Sequence, residues 1–300
     1  MPLKALESLR ILAHATMIVM LFTLVALTPL SAIQYGQPDG NAHPYIGLVV
    51  FYDKNKVPLW RCTGALISER VLLTAGHCTG YDPELGLAPS YAQVWFDPGP
   101  IPWGNYPLSV PEPAPSCVGY KGYPCTGGYW GTPHPHPEWT GYLTIPNTHD
   151  IGVVLLNKPV TRQGFGKLAP AGYLDNLATR RGLQNVQFTV VGYGLQLVKP
   201  FFMGIRERYN ATVMLINLRS ALTDGYNLQY SNDPGLGTGP GGTCFGDSGG
   251  PVLHKTETGE ELIVAVNSFV LNAYCKGSAF AYRTDIPYSL SFLASYGVAP

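Results

Sequence analysis

The amino-acid sequence predicts an all-β fold of short strands joined by turns. Two observations on composition support this prediction. The 300 residues include 35 glycines and 27 prolines, and charged residues make up only 13% of the chain, about half of their usual share in globular proteins. The third observation is a series of short runs rich in apolar, β-branched and aromatic residues between turn signals, which is typical of sandwiches and barrels.

Most of these runs have the length and composition of β-strands, and the last one indicates a helix. The predicted strands are 45–51, 63–67, 71–74, 91–96, 151–156, 186–192, 211–217 and 262–268. Near the C-terminus, Leu290, Phe292, Leu293 and Tyr296 recur at a spacing that places them on one helical face. This spacing predicts a short C-terminal helix at about 287–297.

The segment 97–148 differs from the rest of the chain because it is crowded with Pro, Gly, Tyr and Trp. We interpret it as a long surface excursion, since long ordered loops in compact domains are usually functional or flexible. His134 and His136 within it admit a metal site as an alternative, but a solvated Pro-rich loop is the interpretation we adopt. We expect no metal and no cofactor.

The first 32 residues have the layout of a secretory signal peptide. Lys4 and Arg10 lie in a polar opening, a mostly apolar run covers 15–27, and small residues close the segment. The alternative is an uncleaved membrane anchor, which needs about 20 apolar residues, more than this run supplies. We therefore predict a signal peptide at 1–32 and a secreted domain at 33–300 without stable membrane association.

Six cysteines follow the predicted signal peptide: Cys62, Cys78, Cys117, Cys125, Cys244 and Cys275. An even number in an oxidising compartment predicts three disulfides, although counting alone does not choose their pairing. A zinc site is disfavoured because no Cys-x-x-Cys pair exists. The net charge of zero gives no indication of a nucleic acid partner, and we expect a monomer.

A serine held between glycines marks the candidate catalytic site. The run Gly246-Asp247-Ser248-Gly249-Gly250-Pro251 opens an apolar stretch, and its glycines allow backbone conformations that a Cβ would forbid. The same glycines leave backbone N–H groups free to face an oxyanion. The pattern predicts an exposed nucleophile, provided that the chain also supplies a histidine and a buried carboxylate.

His77 and Asp150 are the best candidates for the base and its orienting carboxylate. His77 follows an apolar strand and precedes Cys78, and a bond from Cys78 to Cys62 would fix the imidazole position. Asp150 opens the apolar run 151–156, where a carboxylate is costly unless a group such as a histidine Nδ1–H donates to it. The alternatives are a structural histidine and a solvated turn aspartate.

Three separated motifs resemble, in their order, the chymotrypsin/trypsin family of serine proteases. They are Thr-Ala-Gly-His-Cys at 74–78, Asp-Ile at 150–151 and Gly-Asp-Ser-Gly-Gly-Pro at 246–251. The resemblance covers most of 33–294 and implies a trypsin-like peptidase domain that cleaves a protein or peptide substrate. Its implied chymotrypsin-like fold is two antiparallel six-stranded β-barrels, at about 33–160 and 161–286, with the active site between them.

The resemblance implies a role for each matched residue. Ser248 would attack the scissile carbonyl, His77 would transfer the proton, and Asp150 would hold the histidine tautomer. The N–H groups of Gly246 and Ser248 would form the oxyanion hole. An α/β-hydrolase is disfavoured because that fold runs serine, aspartate, histidine, whereas the one histidine that follows Ser248 here is His254, only six residues on.

A specificity pocket and its supporting bonds are also implied by the resemblance. Cys244–Cys275 is similar to the family's bridge beside this pocket, and Ser268-Phe269-Val270 is similar to the segment that pairs with the substrate backbone. A Cys117–Cys125 bond matches no pair of the family and is inferred from proximity and elimination.

The pocket departs from the pattern of trypsin-like members, which carry an aspartate six residues before the nucleophile. This chain has Gly242 at that position, followed by Thr243. Val270 and Phe280 fall where the family often has pocket-wall glycines, and bulk there narrows the pocket. We therefore predict a preference for small or modest apolar side chains and not for Lys or Arg.

Activation in the family usually frees a new N-terminus whose amine pairs with the aspartate before the nucleophile. Here Ile33 directly follows Ser31-Ala32, so signal peptidase would itself create this terminus. We predict an activation pair of Ile33 and Asp247. The alternative is that cleavage falls elsewhere and another donor satisfies Asp247.

The leading hypothesis is a secreted serine endopeptidase. One alternative is a catalytically silent binding protein with the protease fold, and another is a secreted esterase with the same triad. Silent proteins of this kind usually lose a triad residue, whereas this chain retains all three.

Overall fold

Two closed β-barrels and a short C-terminal helix form the fold, which confirms the predicted all-β class. The computed structural model describes residues 33–101, 128–161, 163–177, 185–198, 202–232 and 241–300. The predicted signal peptide at 1–32 and the predicted Cys117–Cys125 bond lie outside these residues. No helix within the described ranges is long and apolar enough to cross a membrane.

Fourteen strands and three short helices follow one another along the described chain. The strands are β1 (Gln37–Pro38), β2 (Ile46–Tyr52), β3 (Pro58–Leu66), β4 (Val71–Thr74), β5 (Tyr91–Trp95), β6 (Tyr129–Pro135), β7 (Gly152–Leu156), β8 (Lys167–Leu168), β9 (Gln187–Gly192), β10 (Tyr209–Asn217), β11 (Asn227–Asn232), β12 (Pro251–Lys255), β13 (Glu261–Val270) and β14 (Gly277–Arg283). The helices are α1 (Gly76–Thr79), α2 (Tyr173–Leu177) and α3 (Pro287–Ala294).

Each barrel closes through six antiparallel strands. The first has the order β2-β3-β4-β7-β6-β5 and returns to β2. The second has the order β9-β10-β11-β14-β13-β12 and closes through the pairing of β12 with β9. Closure leaves no free sheet edge along these strands, which protects them from pairing with other chains.

Two short strands attach to the outside of the second barrel. β8 pairs with β13 in parallel, and β1 pairs with β10 through Gln37 opposite Asn210. The predicted first barrel, at about 33–160, therefore does not include all of these residues: β1 lies near their start but belongs to the sheet of the second barrel. Sequence periodicity does not reveal this, since β1 has only two residues.

The interpretation of 97–148 as one long surface excursion is wrong for 129–135, because these residues form strand β6 of the first barrel. Its prolines, Pro133 and Pro135, pair with β7, while β5 reaches only as far as Gly131. A proline is tolerated at these two positions because its backbone nitrogen, which has no hydrogen to donate, points to the side of β6 that has no partner strand beyond Gly131. His134 lies within β6, and His136 is 6% exposed, so the expected solvated Pro-rich loop is wrong for both histidines.

A single apolar cluster joins the two barrels. It contains Leu48 and Val50 of β2, Val266 of β13, and Phe292 and Leu293 of α3. The intervening β2 residues face a different cluster of first-barrel residues, so both sides of this strand are buried. Helix α3 begins at a proline, whose fixed φ suits the first helical position, and it ends three residues earlier than predicted.

A buried arginine adds polar links between the barrels. Arg208, just before β10, is fully buried and donates to the carbonyl oxygens of Ile46 at 2.8 Å and Phe96 at 3.2 Å. Its Nε also donates to Asp39 at 2.9 Å. Burial alone would raise the pKa of Asp39, but hydrogen bonding to His43 and the nearby positive charges lower it to about 2. The buried charges are thus satisfied in pairs, as burial requires.

Candidate active site

Asp150 is a fully buried carboxylate that receives donors from both barrels. From the first barrel, the backbone N–H of His77 donates to Oδ1 at 2.7 Å, and His77 Nδ1 lies 2.9 Å from Oδ2. From the second barrel, the Ser268 hydroxyl on β13 donates to Oδ2. These donors compensate for the cost of burying the charge.

The position of His77 follows from a close approach of two loops. His77 lies in α1, directly after β4, and Gly76 precedes it. A Cβ on Gly76 would lie 3.1 Å from His149 O and from Ile151 N, so a glycine lets the loops meet. The Cys62–Cys78 disulfide, with a Cα–Cα distance of 6.4 Å, ties this helix to β3.

The Ser248 turn is clamped to β3 by Thr63. The N–H of Thr63 donates to Ser248 O at 2.8 Å, and its hydroxyl donates to Gly246 O at 2.9 Å. Gly246 and Gly249 have φ values of 96° and 77°, which are left-handed conformations that favour glycine. Within the described ranges, no hydrogen bond is recorded for the N–H groups of Gly246 and Ser248, so both are available to an incoming oxygen.

Ser248 and His77 line one cavity of about 220 Å³. The His77 side chain is 31% exposed, while Asp150 behind it is inaccessible. No Ser248–His77 hydrogen bond is recorded between these two described residues. Such bonds are often long in a resting site and tighten only when a substrate is bound.

The pKa of His77 is raised above its ordinary value. Burial acts to lower this pKa, but the charge and the hydrogen bond of Asp150 outweigh it. Conversely, burial acts to raise the pKa of Asp150, and the charge and hydrogen bonds of His77 lower it below its usual range. The arrangement therefore favours an ionised Asp150 beside an imidazole of increased basicity.

Asp247, directly before Ser248, is the second buried carboxylate of the candidate site. It accepts from the N–H of Gly194 at 2.8 Å and of Cys244 at 2.9 Å. Burial raises the pKa of Asp247 more than these neutral donors lower it, so the pKa rises to about 7. Ile33 is fully buried and its neighbour Gln34 pairs with Gly242, but no contact of Ile33 with Asp247 is recorded, and their pairing stays a prediction.

The cavity beside Ser248 is narrowed by aromatic and aliphatic side chains. Phe269 and Phe280 stack with their ring centroids 4.5 Å apart, and Val270 and Thr243 also line the cavity. No acidic side chain is among its described lining residues. The Cys244–Cys275 disulfide is present, with a Cα–Cα distance of 5.3 Å.

Two predicted site residues, Ser268 and Gly242, have roles or positions that the sequence did not indicate. The Ser268 hydroxyl donates to Asp150, whereas the expected pairing of its segment with the substrate backbone stays a prediction. Gly242 does not line the described cavity; its N–H donates to Gln34 O at 3.0 Å. Cys62 and Cys78 lie near His77 like metal ligands, but their sulfurs form a disulfide and offer no thiolate.

Comparison with known proteins gives one sequence relative and a solved structure of the same fold. No family model matches the sequence. The chain is 25% identical to a phenoloxidase-activating enzyme of Bombyx mori over 236 residues, which are 72% of this chain and 49% of that protein. The chain thus spans about half the length of the curated relative it matches. The structure of HL collagenase has a TM-score of 0.61 at 16% identity and covers 89% of this chain and 100% of the collagenase chain, a likeness of fold.

The pairing of His77 with Asp150 predicts a measurable shift of the histidine titration. In the wild-type protein, we expect the His77 imidazole to titrate above its ordinary pKa of 6.5. In Asp150→Asn this pKa should fall below 6.5, because burial is then opposed only by the weaker effect of the Asp82 charge. Imidazole NMR shifts recorded against pH measure both values.

His254 is an internal control, because burial alone lowers its pKa and Asp150 does not touch it. Its titration should be the same in both proteins. Ser268→Ala is a second variant in case Asp150→Asn does not fold. It removes a donor from the Asp150 carboxylate, whose attraction for the protonated imidazole then increases, so the His77 pKa should move upward, opposite to the shift in Asp150→Asn. A wild-type His77 titration at or below 6.5 would contradict the assignment.

Proposed function

We propose that this chain, whose fold and motifs are those of the chymotrypsin/trypsin family, is a secreted serine endopeptidase. The observation that carries the proposal is the contact of buried Asp150 with His77, in a cavity that His77 shares with Ser248. A base oriented by a third group beside a nucleophile is the requirement for activating a serine hydroxyl. Its expected substrate is a protein or peptide.

In the proposed mechanism, Ser248 Oγ attacks the scissile carbonyl while His77 Nε2 takes its proton. The resulting oxyanion is stabilised by the N–H groups of Gly246 and Ser248, each worth about 10²–10³ in rate in comparable sites. His77 then returns the proton to the leaving amine, which departs and leaves an acyl-enzyme. A water, deprotonated by His77, hydrolyses this ester and regenerates Ser248.

We propose a preference for small or modest apolar side chains at the cleaved position. The stacked pair Phe269 and Phe280, together with Val270, occupies the cavity wall. The absence of an acidic group among the described lining residues removes the attraction that a Lys or Arg side chain would need.

Activation is proposed to use the Ile33 amine as the partner of Asp247. Gly242 N donates to Gln34 O at 3.0 Å, which brings this segment beside the loop that carries Asp247. From the described residues this buried carboxylate receives neutral backbone donors, and its pKa is raised to about 7. An ammonium at this position would favour the ionised carboxylate and the turn that shapes the oxyanion hole.

Ser248→Ala tests the catalytic proposal directly. A fluorophosphonate probe should label the folded, processed wild-type protein and not the variant, because the probe reacts only with an activated serine. Peptide hydrolysis should fall by up to about 10⁶-fold, as in other enzymes with this triad.

Failure to label folded wild-type protein would oppose the enzyme proposal and favour a silent binding protein. Labelling without casein hydrolysis, combined with turnover of a simple ester, would favour an esterase. A matched control is Ser90→Ala, which removes a hydroxyl on a first-barrel loop away from the described cavity and should leave labelling unchanged.

Val270→Gly tests the proposed pocket. Removing the side chain from the cavity wall should raise kcat/KM for a peptide with Phe at the cleaved position, relative to Ala, by about 10-fold. Val57→Gly is a matched control, because Val57 is exposed and does not line the cavity. Strict cleavage after Lys or Arg by the wild-type protein would overturn the proposed preference.

The activation proposal predicts the mature N-terminus. Protein recovered from the medium of secreting cells should begin at Ile33, as read by N-terminal sequencing or intact mass. The free amine is required for the pair with Asp247, so any other start in active protein contradicts this proposal while leaving the triad untouched.

A further inference from the structure

Arg61 is a half-buried cation beside the candidate oxyanion hole. It lies on β3 directly before Cys62 and Thr63, and Thr63 clamps the Ser248 turn. Its Nε lies 3.4 Å from where a Cβ on Gly246 would be, and its Nη2 contacts the corresponding position on Gly204. The guanidinium therefore extends across two glycines, one of which donates an N–H to the proposed oxyanion hole.

The backbone of Arg61 pairs with Val50 of β2, but no hydrogen bond or ion pair of its side chain is recorded with any described residue. Its charge nevertheless reaches the site, because it acts to lower the pKa of Asp247 against the larger effect of burial. A guanidinium offers five donors in a planar fork that matches a carboxylate. Since a half-buried arginine is usually paired, this one has donors available for an acidic group that arrives from outside.

The direction of the leaving fragment follows from the proposed chemistry. His77 protonates the leaving amine, so the residues after the scissile bond lie on the His77 side of Ser248. Cys78 neighbours His77 and is bonded to Cys62, which follows Arg61. The strand that carries Arg61 therefore borders the path of the leaving fragment.

We propose that Arg61 selects substrates that carry an acidic residue within the first two positions after the scissile bond. This inference rests on the proposed endopeptidase function and deepens it. Arg61 determines specificity here by binding the leaving fragment, and it takes no part in proton transfer. A charge-assisted hydrogen bond at such a site corresponds to about 10- to 100-fold in kcat/KM.

Internally quenched peptides with Ala at the cleaved position test this inference. Two series carry Glu, Gln or Lys at the first or at the second position after the scissile bond. In at least one series, wild-type protein should cleave the Glu peptide about 10-fold or more faster than the Lys peptide, mainly through KM, and added salt should reduce the difference. Arg61→Gln should bring the ratio close to one, and Arg61→Glu should reverse it.

Two controls separate recognition from other effects. Arg70→Gln removes the same charge from the exposed turn between β3 and β4 and should keep the wild-type ratio. Fluorophosphonate labelling gives the concentration of active sites of each variant, and rates on a p-nitroanilide of the same acyl sequence, which lacks residues after the bond, normalise any effect on the triad.

Several outcomes would overturn the inference. One is a wild-type ratio near one in both series, and another is an unchanged ratio in Arg61→Gln. An equal loss for the anilide and all peptides would mean that Arg61 acts on the oxyanion and does not recognise the leaving fragment. No hydrolysis of any substrate by folded, processed wild-type protein would defeat the proposed function as well, which distinguishes the two failures.

Discussion

The burial of the Asp150 carboxylate is the constraint on which the rest of the site depends. A charge without solvent needs donors from the protein, and those donors come from different barrels. His77 reaches Asp150 from α1 in the first barrel, and Ser268 reaches it from β13 in the second. The geometry that orients the imidazole is therefore complete only when both barrels are folded and docked.

The docking itself is stabilised by apolar and polar contacts together. The shared apolar cluster brings β2, β13 and α3 into one core, and Arg208 supplies hydrogen bonds to carbonyl oxygens of the first barrel. Thr63 then connects this frame to the Ser248 turn. Thr63, on a strand of the first barrel, thus holds in place the turn that carries the nucleophile in the second barrel.

The sequence predicted the parts of this structure whose cause is local. Runs of β-branched and apolar residues identified strands such as β4 and β7, and the order of three motifs indicated the fold and the candidate triad. Strand β6 was not predicted, because Pro133 and Pro135 disguise it and its partner β7 comes later in the chain. Ser268 contacts Asp150 across the barrel interface, which no spacing within one motif reveals.

Polar strands were missed for a related reason. β11 reads Asn-Leu-Gln-Tyr-Ser-Asn, yet most of it is buried. Asn232, for example, donates to the carbonyl oxygens of Thr243 and Cys275 and accepts from the Thr243 N–H. These partners lie 11 and 43 residues further along the chain and outside the strand itself, so a polar composition that suggests a loop in isolation belongs to a barrel strand in the folded protein.

The outward pairing of β1 has a consequence for the order of assembly on the ribosome. All six strands of the first barrel have been synthesised once β7 ends at Leu156, but the partner of Gln37 is Asn210. Gln37 and Asn210 are 173 residues apart, so at about 5–20 residues per second roughly 9–35 s pass between the synthesis of β1 and that of its strand partner. The earliest segment of the domain is thus among the last to reach its native place, and a nascent first barrel carries it as an unpaired tail.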